Sequence, residues 1–452
     1  MKRLLVAALI TTAALAAEPS PKPLTLDDAV ALALKHSKAA QLARLKVDEA
    51  TSSLDAARRL RYPQITVMGV GAYIQHSTDI TVSQGSLTPQ LNALGAQLGM
   101  SQAAAALGPF PSSDLTIAKG SYTPVIGDLT IAQPLTQLWR INSGVSAAKA
   151  GLTENQREAA RITAQLRFSV EELFVGVLLG TKRLTENEAK LAAQERKLRD
   201  AENAQKVGEL LDESVLGMRA AVIQAKSDLT RSRQQLERLS LQLADLIGQP
   251  GNDHLTLASD LPTREERPLE HWLSHAKDNP DRQIAAATVE KAASATRAAR
   301  QARIPELSLI ASGYAQDGIP IVPRRSASVG LTLSWDIFDF GRKDAEVART
   351  AAQRRAAEVN RDRIEEDSAR EIRLMYQDLT YATELVGLAK QALEYRQRAA
   401  QLAHQSTANG LALESASSEA DTELRKAEAD LAGANYQRHL ALLRLYYLSG
   451  QF

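Results

Sequence analysis

Ser328-Val329-Gly330-Leu331-Thr332-Leu333-Ser334-Trp335 is the stretch on which the reading of the fold turns. In an extended chain Leu331, Leu333 and Trp335 share one face and Thr332 and Ser334 the other, because successive strand side chains point to opposite sides. Similar short stretches lie around it. Leu307-Ser308-Leu309 follows Pro305, Ile65-Thr66-Val67-Met68 follows Pro63, and Asp128-Leu129-Thr130-Ile131 runs toward Pro134. Each pair reads as an outgoing and a returning strand. Alternation of this kind over about ten residues suits a strand of an outer-membrane barrel. A soluble hairpin packed on helices gives the same pattern.

Outward from these hairpins the chain loses its prolines. None lies between residues 135 and 249, and none from 324 to the end. Proline costs about 3 kcal/mol inside a helix, so two tracts are free to be helical. Each has one break near its middle, Val207-Gly208 and Asn409-Gly410. The spacing predicts long helices over about 140–207, 211–247, 341–408 and 412–448. A helix from about 144 to 207 spans roughly 95 Å at 1.5 Å per residue, and so needs a partner alongside. Heptads supply the seam. Val215, Val222, Leu229, Leu236 and Leu243 recur every seven residues, as do Ala420, Ala427, Ala434, Ala441 and Leu448. Sevenfold spacing implies left-handed supercoiling, and the alanines allow close backbone approach.

Composition agrees with this picture. The chain has 452 residues, 44% hydrophobic but only 4% aromatic, which suits long helices joined through small residues. Lys plus Arg is 54 against Asp plus Glu at 53, so no basic excess points to nucleic acid. With Cys at 0, thiolate metal sites, disulfides, cysteine nucleophiles and a lipid on an N-terminal Cys are excluded. Beyond residue 16 no run reaches the ~18 consecutive apolar residues of a membrane-spanning helix. Residues 1–16 read as a signal peptide: Lys2-Arg3, an apolar Leu4–Leu15 run, and the small-x-small end Ala14-Leu15-Ala16. The mature chain is expected to open at Ala17.

The chain repeats itself. At an offset of 242, Lys35 falls on Lys277, Arg58 on Arg300, Pro63 on Pro305 and Gly71 on Gly313. From residue 129 onward the offset is 202: Leu129-Thr130 falls on Leu331-Thr332, Gly208 on Gly410, and Gly248-Gln249 on Gly450-Gln451. The two offsets differ by 40 residues, which are extra sequence in the first hairpin between about 73 and 127. A surface loop with a short helix around Leu91–Leu107 is expected there. The organisation is therefore a first helix–hairpin–helix repeat over 17–250 with its hairpin at about 63–134, a connecting segment over 251–268, and a second repeat over 269–452 with its hairpin at about 305–338. Four strands cannot close a barrel, since about eight is the minimum, and open edges are not tolerated in lipid. If the strands enter a membrane, several copies must close it.

These features resemble the TolC family of outer-membrane efflux channels. The resemblance covers nearly the whole mature chain. It rests on the duplication, on Pro63 and Pro305 at helix-to-strand passages, and on Leu129-Thr130-Ile131-Ala132-Gln133-Pro134-Leu135 and the Leu331–Gly341 segment. It also rests on the tips Val207-Gly208-Glu209-Leu210 and Asn409-Gly410-Leu411-Ala412. Two departures stand out: Thr136-Gln137-Leu138 replaces the usual Phe-Asp-Gly, and the first loop carries its insertion. The resemblance implies an α+β membrane protein whose long antiparallel helices form a periplasmic α-barrel. Two transmembrane β-hairpins per protomer would close a twelve-stranded barrel as a homotrimer in the outer membrane of a Gram-negative bacterium. It further implies a passive exit duct for drugs, metals, lipids or proteins in a tripartite efflux or type I secretion system, driven by an inner-membrane pump of the RND or ABC type through a periplasmic adaptor. Val207, Gly208, Leu210, Asn409, Gly410 and Leu411 would form adaptor-docking tips. Glu419, Glu414, Asp212 and Glu213 would line a periplasmic constriction, and Pro63, Pro134 and Pro305 would mark the strand–helix junctions. At Ala416 the chain lacks one acidic residue that the family pattern carries.

Catalytic motifs are missing: no Gly-x-x-x-x-Gly-Lys-Ser/Thr and no Gly-x-Ser-x-Gly occurs. His271 and His275 stand four apart, but Trp272 occupies the place of the Glu in a zinc helix. No enzyme activity, cofactor, metal or nucleic-acid partner is expected. The alternative is a periplasmic coiled-coil adaptor or structural interaction protein, which shares the leader and the heptads but has no need of the duplication.

Overall fold

The computed structural model describes residues 23–75, 80–98, 106, 108–118, 121–251, 255–259, 264–318 and 322–452. The expected signal peptide lies outside the described residues, as does the middle of the insertion. The chain divides into two compact units, one of Asp48–Thr153 with Ala287–Val359, the other of Met1–Val47, Glu154–Ala286 and Asn360–Phe452.

In chain order the first repeat contains α1 (Leu26–His36), α2 (Lys38–Arg59), β1 (Gln64–Gly71), β2 (Ile74–Gln75), β3 (Ile80–Val82), α3 (Thr88–Gln97), β4 (Leu115–Ala118), β5 (Ser121–Tyr122), β6 (Val125–Pro134), α4 (Gln137–Lys206) and α5 (Asp212–Leu246). The second contains α6 (Leu269–His275), a short 3-10 turn, α7 (Pro280–Gln301), β7 (Glu306–Asp317), β8 (Arg325–Ser334), α8 (Arg342–Ala408) and α9 (Glu414–Leu448). With 70 residues, α4 is about 105 Å long at 1.5 Å per residue.

The first unit is built on one antiparallel sheet in the order β1-β6-β7-β8, so the two hairpins join through β6 and β7. Ten residue pairs, Val125↔Asp317 to Pro134↔Ser308, knit that junction. The insertion extends the first hairpin by two small strand pairs, β2 with β5 and β3 with β4. These pairs were not expected from sequence, because strands of two to four residues are too short to carry a readable alternation. The helix expected at Leu91–Leu107 starts earlier, at Thr88, with Pro89 in its first turn and Gln97 at its end. Proline fits a helix start, where its missing N–H costs nothing.

β8 ends at Ser334 and not at about 338. Asp339 accepts hydrogen bonds from the N–H groups of Gly341 and Lys343, at 3.1 and 3.0 Å, and turns the chain into α8. α9 begins at Glu414 rather than about 412, since Leu413 holds an extended N-cap conformation.

In the second unit the heptad positions do what their spacing demands. Val215, Val222, Leu229 and Leu243 of α5 are buried, as are Ala427, Ala434, Ala441 and Leu448 of α9. The duplication extends to the core. Val170 and Leu243 sit in one fully buried cluster with Ala29 and Phe174. Ile372 and Leu445, at the offset of 202, sit in another with Trp272 and Ala276. Two separate cores from one pattern explain how a chain with 4% aromatics stabilises itself.

Candidate functional site: the sheet faces and the helix tips

The sheet presents its residues the wrong way round for a soluble protein. One face carries Ile65 and Val67 of β1, Leu129 and Ile131 of β6, Leu309 of β7 and Val329, Leu331 and Leu333 of β8. These side chains are exposed: Val67 and Val329 at 76%, Leu331 at 65% and Leu333 at 66%. The opposite face carries Thr66, Asp128, Thr130, Ser308, Ser312 and Thr332, with Met68, Val70, Ile126 and Ile310 between them. Along β6, Val125, Leu129 and Ile131 are exposed, and Asp128 and Thr130 are half-buried with Ile126 and Ala132. A soluble sheet would hide the apolar set. Strands of 10 and 12 residues match a tilted membrane strand.

Both hairpins leave the sheet through built junctions. Pro63 precedes β1, Pro134 closes β6 and Pro305 precedes β7. Thr136, one of the departures from the family pattern, staples the copies together. Its hydroxyl donates to the Pro305 carbonyl at 2.7 Å and accepts from the Leu307 N–H at 2.8 Å. Around the turn after β8 stand Trp335, Ile337, Phe338 and Phe340, all exposed, with Phe338 and Phe340 edge to face at 4.7 Å. Tyr62 and Trp139 are exposed at the other junctions. Aromatic rings at the ends of apolar strands are what a membrane–water interface favours.

The tips are two copies of one cap. The N–H of Gly208 bonds the Gln205 carbonyl and the N–H of Glu209 bonds the Ala204 carbonyl. Gly410 and Leu411 repeat this on Thr407 and Ser406. This pairing requires a left-handed residue, and Gly208 and Gly410 have φ of 80° and 71°. Val207 and Leu411 are exposed at 71% and 80%, Asn409 is exposed and Leu210 is half-buried. A helix cap alone does not require bare apolar side chains there.

The four carboxylates occupy the first turns after these tips, but they are not alike. Asp212 accepts a hydrogen bond from Gln205 across its own hairpin. Glu213 and Glu414 are exposed in the first turns of α5 and α9, where the helix dipole favours acids. Glu419 pairs with Lys197 of α4 at 2.9 Å. The neighbouring Ser418 accepts from Arg196, and Thr422 donates to the Ala189 carbonyl. One protomer does not bring the four together. Nothing in the sequence signalled the Lys197 partner, which lies 222 residues away.

A buried ionic strap ties the connecting segment to the helices. Glu171 of α4 accepts from Arg264 at 2.7 Å and bonds His439 of α9 at 2.7 Å. Burial alone would raise the Glu171 carboxyl, but hydrogen bonds from His439 and Arg264 outweigh it and hold the group below the usual value. The Arg264 guanidinium also lies over the rings of Tyr446 and Phe452, at 5.0 and 5.4 Å. His275 contacts the His271 carbonyl with Nδ1 at 2.8 Å. Among the described residues no group of three His, Cys, Asp or Glu could hold a metal, and no helix is long and apolar enough to cross a membrane.

An exposed apolar sheet face and very long helices together make an α+β fold. The second repeat carries the corresponding sequence: residues 274–451 match the family model of the outer membrane efflux proteins. Solved structures share the fold over most of the chain. The outer membrane protein VceC from Vibrio cholerae has a TM-score of 0.73 at 16% identity, covering 94% of this chain and 96% of that one. The Campylobacter jejuni CmeC outer membrane channel has 0.74 at 14%, covering 94% and 85%. The Neisseria gonorrhoeae MtrE outer membrane channel, in its open state, has 0.71 at 15%, covering 94% and 88%. No curated protein sequence matches the chain.

Proposed function

We propose that the protein is the outer-membrane exit duct of a tripartite efflux or type I secretion system. Three copies close a twelve-stranded barrel, and the paired helices continue the duct into the periplasm. The observation that carries this reading is the inverted sheet with two open edges. Among the described residues β1 and β8 each pair on one side only, and both are exposed along their whole length. Lipid forbids such edges, and three copies of four strands remove all six. The chain offers no nucleotide-binding motif, so the reading makes it a passive channel energised by an inner-membrane pump through an adaptor at the tips. The aromatic residues after β8 belong at the periplasmic interface, which puts the insertion at the cell surface.

Purified protein in mild detergent tests the reading. It should have the mass of a trimer, migrate in a heat-modifiable way and conduct ions across a planar bilayer. An epitope inserted after Ser101 should be labelled on intact cells. A monomer that does not conduct defeats the duct. Labelling only after permeabilisation defeats the placement of the insertion.

A further inference from the structure

We infer that the barrel lumen carries its own cation-selecting belt, made by a row of hydroxyls across the sheet and the carboxylate of Asp128. This rests on the channel reading above, which makes the polar sheet face the lumen.

The row is set by strand register. Thr66 pairs with Thr130, Thr130 with Ser312, and Ser312 with Ser328, so one hydroxyl from each of the four strands falls in one cross-strand row. Ser312 and Ser328 are joined Oγ to Oγ at 2.9 Å. Thr130 Oγ1 donates to Asp128 Oδ1 at 2.7 Å and ties the carboxylate to the row. Asp128 sits in the adjacent row, opposite Met68 on one side and Tyr314 on the other. Only two charged residues occupy the polar face of the four strands, and the other, Glu306, is neutralised by Arg140 at 2.8 Å. No cation among the described residues pairs with Asp128. Each protomer therefore contributes one uncompensated negative charge to an otherwise neutral wall.

Hydroxyls donate and accept, so the row can replace water around a passing solute without preferring a sign. The carboxylate supplies the sign. It attracts hydrated monovalent cations and amine-bearing solutes and repels anions, as rings of acidic side chains do in cation channels. A twelve-stranded lumen is wide, so the field must reach far from the wall. The Debye length is about 30 Å at 0.01 M salt and about 3 Å at 1 M. The belt should thus discriminate strongly in dilute salt and hardly at all in concentrated salt.

The test is the reversal potential of purified trimers in planar bilayers under a KCl gradient, with the dilute side at about 0.01 M. Asp128→Asn should lower the potassium-to-chloride permeability ratio about twofold or more there, and leave it unchanged near 1 M. Asp128→Glu should keep the wild-type ratio. Met68→Lys, which sets a cation beside an intact Asp128, should lower it as Asp128→Asn does. Variants are compared only as heat-modifiable trimers with wild-type conductance in concentrated salt. If assembled trimers of Asp128→Asn and Met68→Lys both keep the wild-type potential in dilute salt, the belt is refuted. A wild-type protein that does not conduct refutes the channel reading instead.

Discussion

Gly248 and Gly450 end α5 and α9 with φ of 79° and 68°, a backbone that side chains rarely adopt. Steric demand separates them. A Cβ on Gly248 would lie 2.5 Å from the His36 ring, whereas one on Gly450 would lie 2.2 Å from the Asp278 backbone carbonyl. The His36 Cβ, at 2.6 Å, yields only if the end of α1 shifts, but the Asp278 carbonyl is closer still and lies beside the buried Asn279, whose side chain donates to Leu448. Gly450→Ala should therefore lower the thermal midpoint more than Gly248→Ala, with about 1–2 kcal/mol common to both for the left-handed backbone. Equal midpoints would show that the second cap relaxes freely. The glycines themselves were legible at the offset of 202. Their contacts were not, because nothing local marks residues that meet 172 positions apart or more. Glu419 is the other residue whose role depends on its surroundings. Its bond to Lys197 makes it half of an ion pair in one protomer, so any constriction it forms must break or share that pair. Glu419→Ala is expected to reduce cation selectivity and weaken block by multivalent cations in single-channel recordings. Wild-type selectivity and block would reduce Glu419 to a surface ion pair.

Among the elements, the connecting segment matters more than its length suggests, since Arg264 reaches the buried Glu171. The Glu171 carboxyl is held below its ordinary value of 4.5 by His439 and Arg264 against the cost of burial. Its stabilisation is thus complete above about pH 5 and is lost as the pH falls through the lowered value. Glu171→Gln should remove this share of the acid sensitivity and cost on the order of 3 kcal/mol at neutral pH, because Arg264 loses its buried counter-charge. Thermal melts between pH 3 and 7 read both effects; parallel curves for variant and wild type would rule out the strap. The tips lend themselves to a functional test. Gly208→Asp places a charge beside exposed Val207, and Gly410→Asp one beside exposed Leu411, while each keeps a residue type that tolerates a positive φ. Trimers should still assemble, and efflux by cells carrying the variants should fall. Unchanged efflux in both variants removes the tips as a docking surface. The tips and long helices were readable because proline, glycine and heptad spacing act locally. The strap was not, because it joins three distant segments through side chains that look like ordinary surface charges.

For the whole molecule the decisive question is what covers the two edges of the sheet. Within one protomer β1 and β8 are separated by β6 and β7. At about 4.8 Å per strand their backbones lie roughly 14 Å apart. Disulfides need Cα atoms about 4.4–6.8 Å apart, so no cysteine on β1 can bond one on β8 of the same chain. The protein contains no cysteine, which makes every engineered pair unambiguous. Val67→Cys on β1, combined in turn with Val329→Cys, Leu331→Cys or Leu333→Cys on β8, samples neighbouring registers on the apolar face. If β1 of one copy pairs with β8 of the next around a closed ring, at least one combination should oxidise in native membranes to covalent dimers and trimers. Non-reducing gels would show these and nothing larger, and reduction would return them to monomer. Single variants should yield at most dimers. Bands beyond the trimer would mean a ring of more than three copies. Monomer alone in every register would mean that something other than a second copy covers the edges, and the twelve-stranded barrel would have to be abandoned.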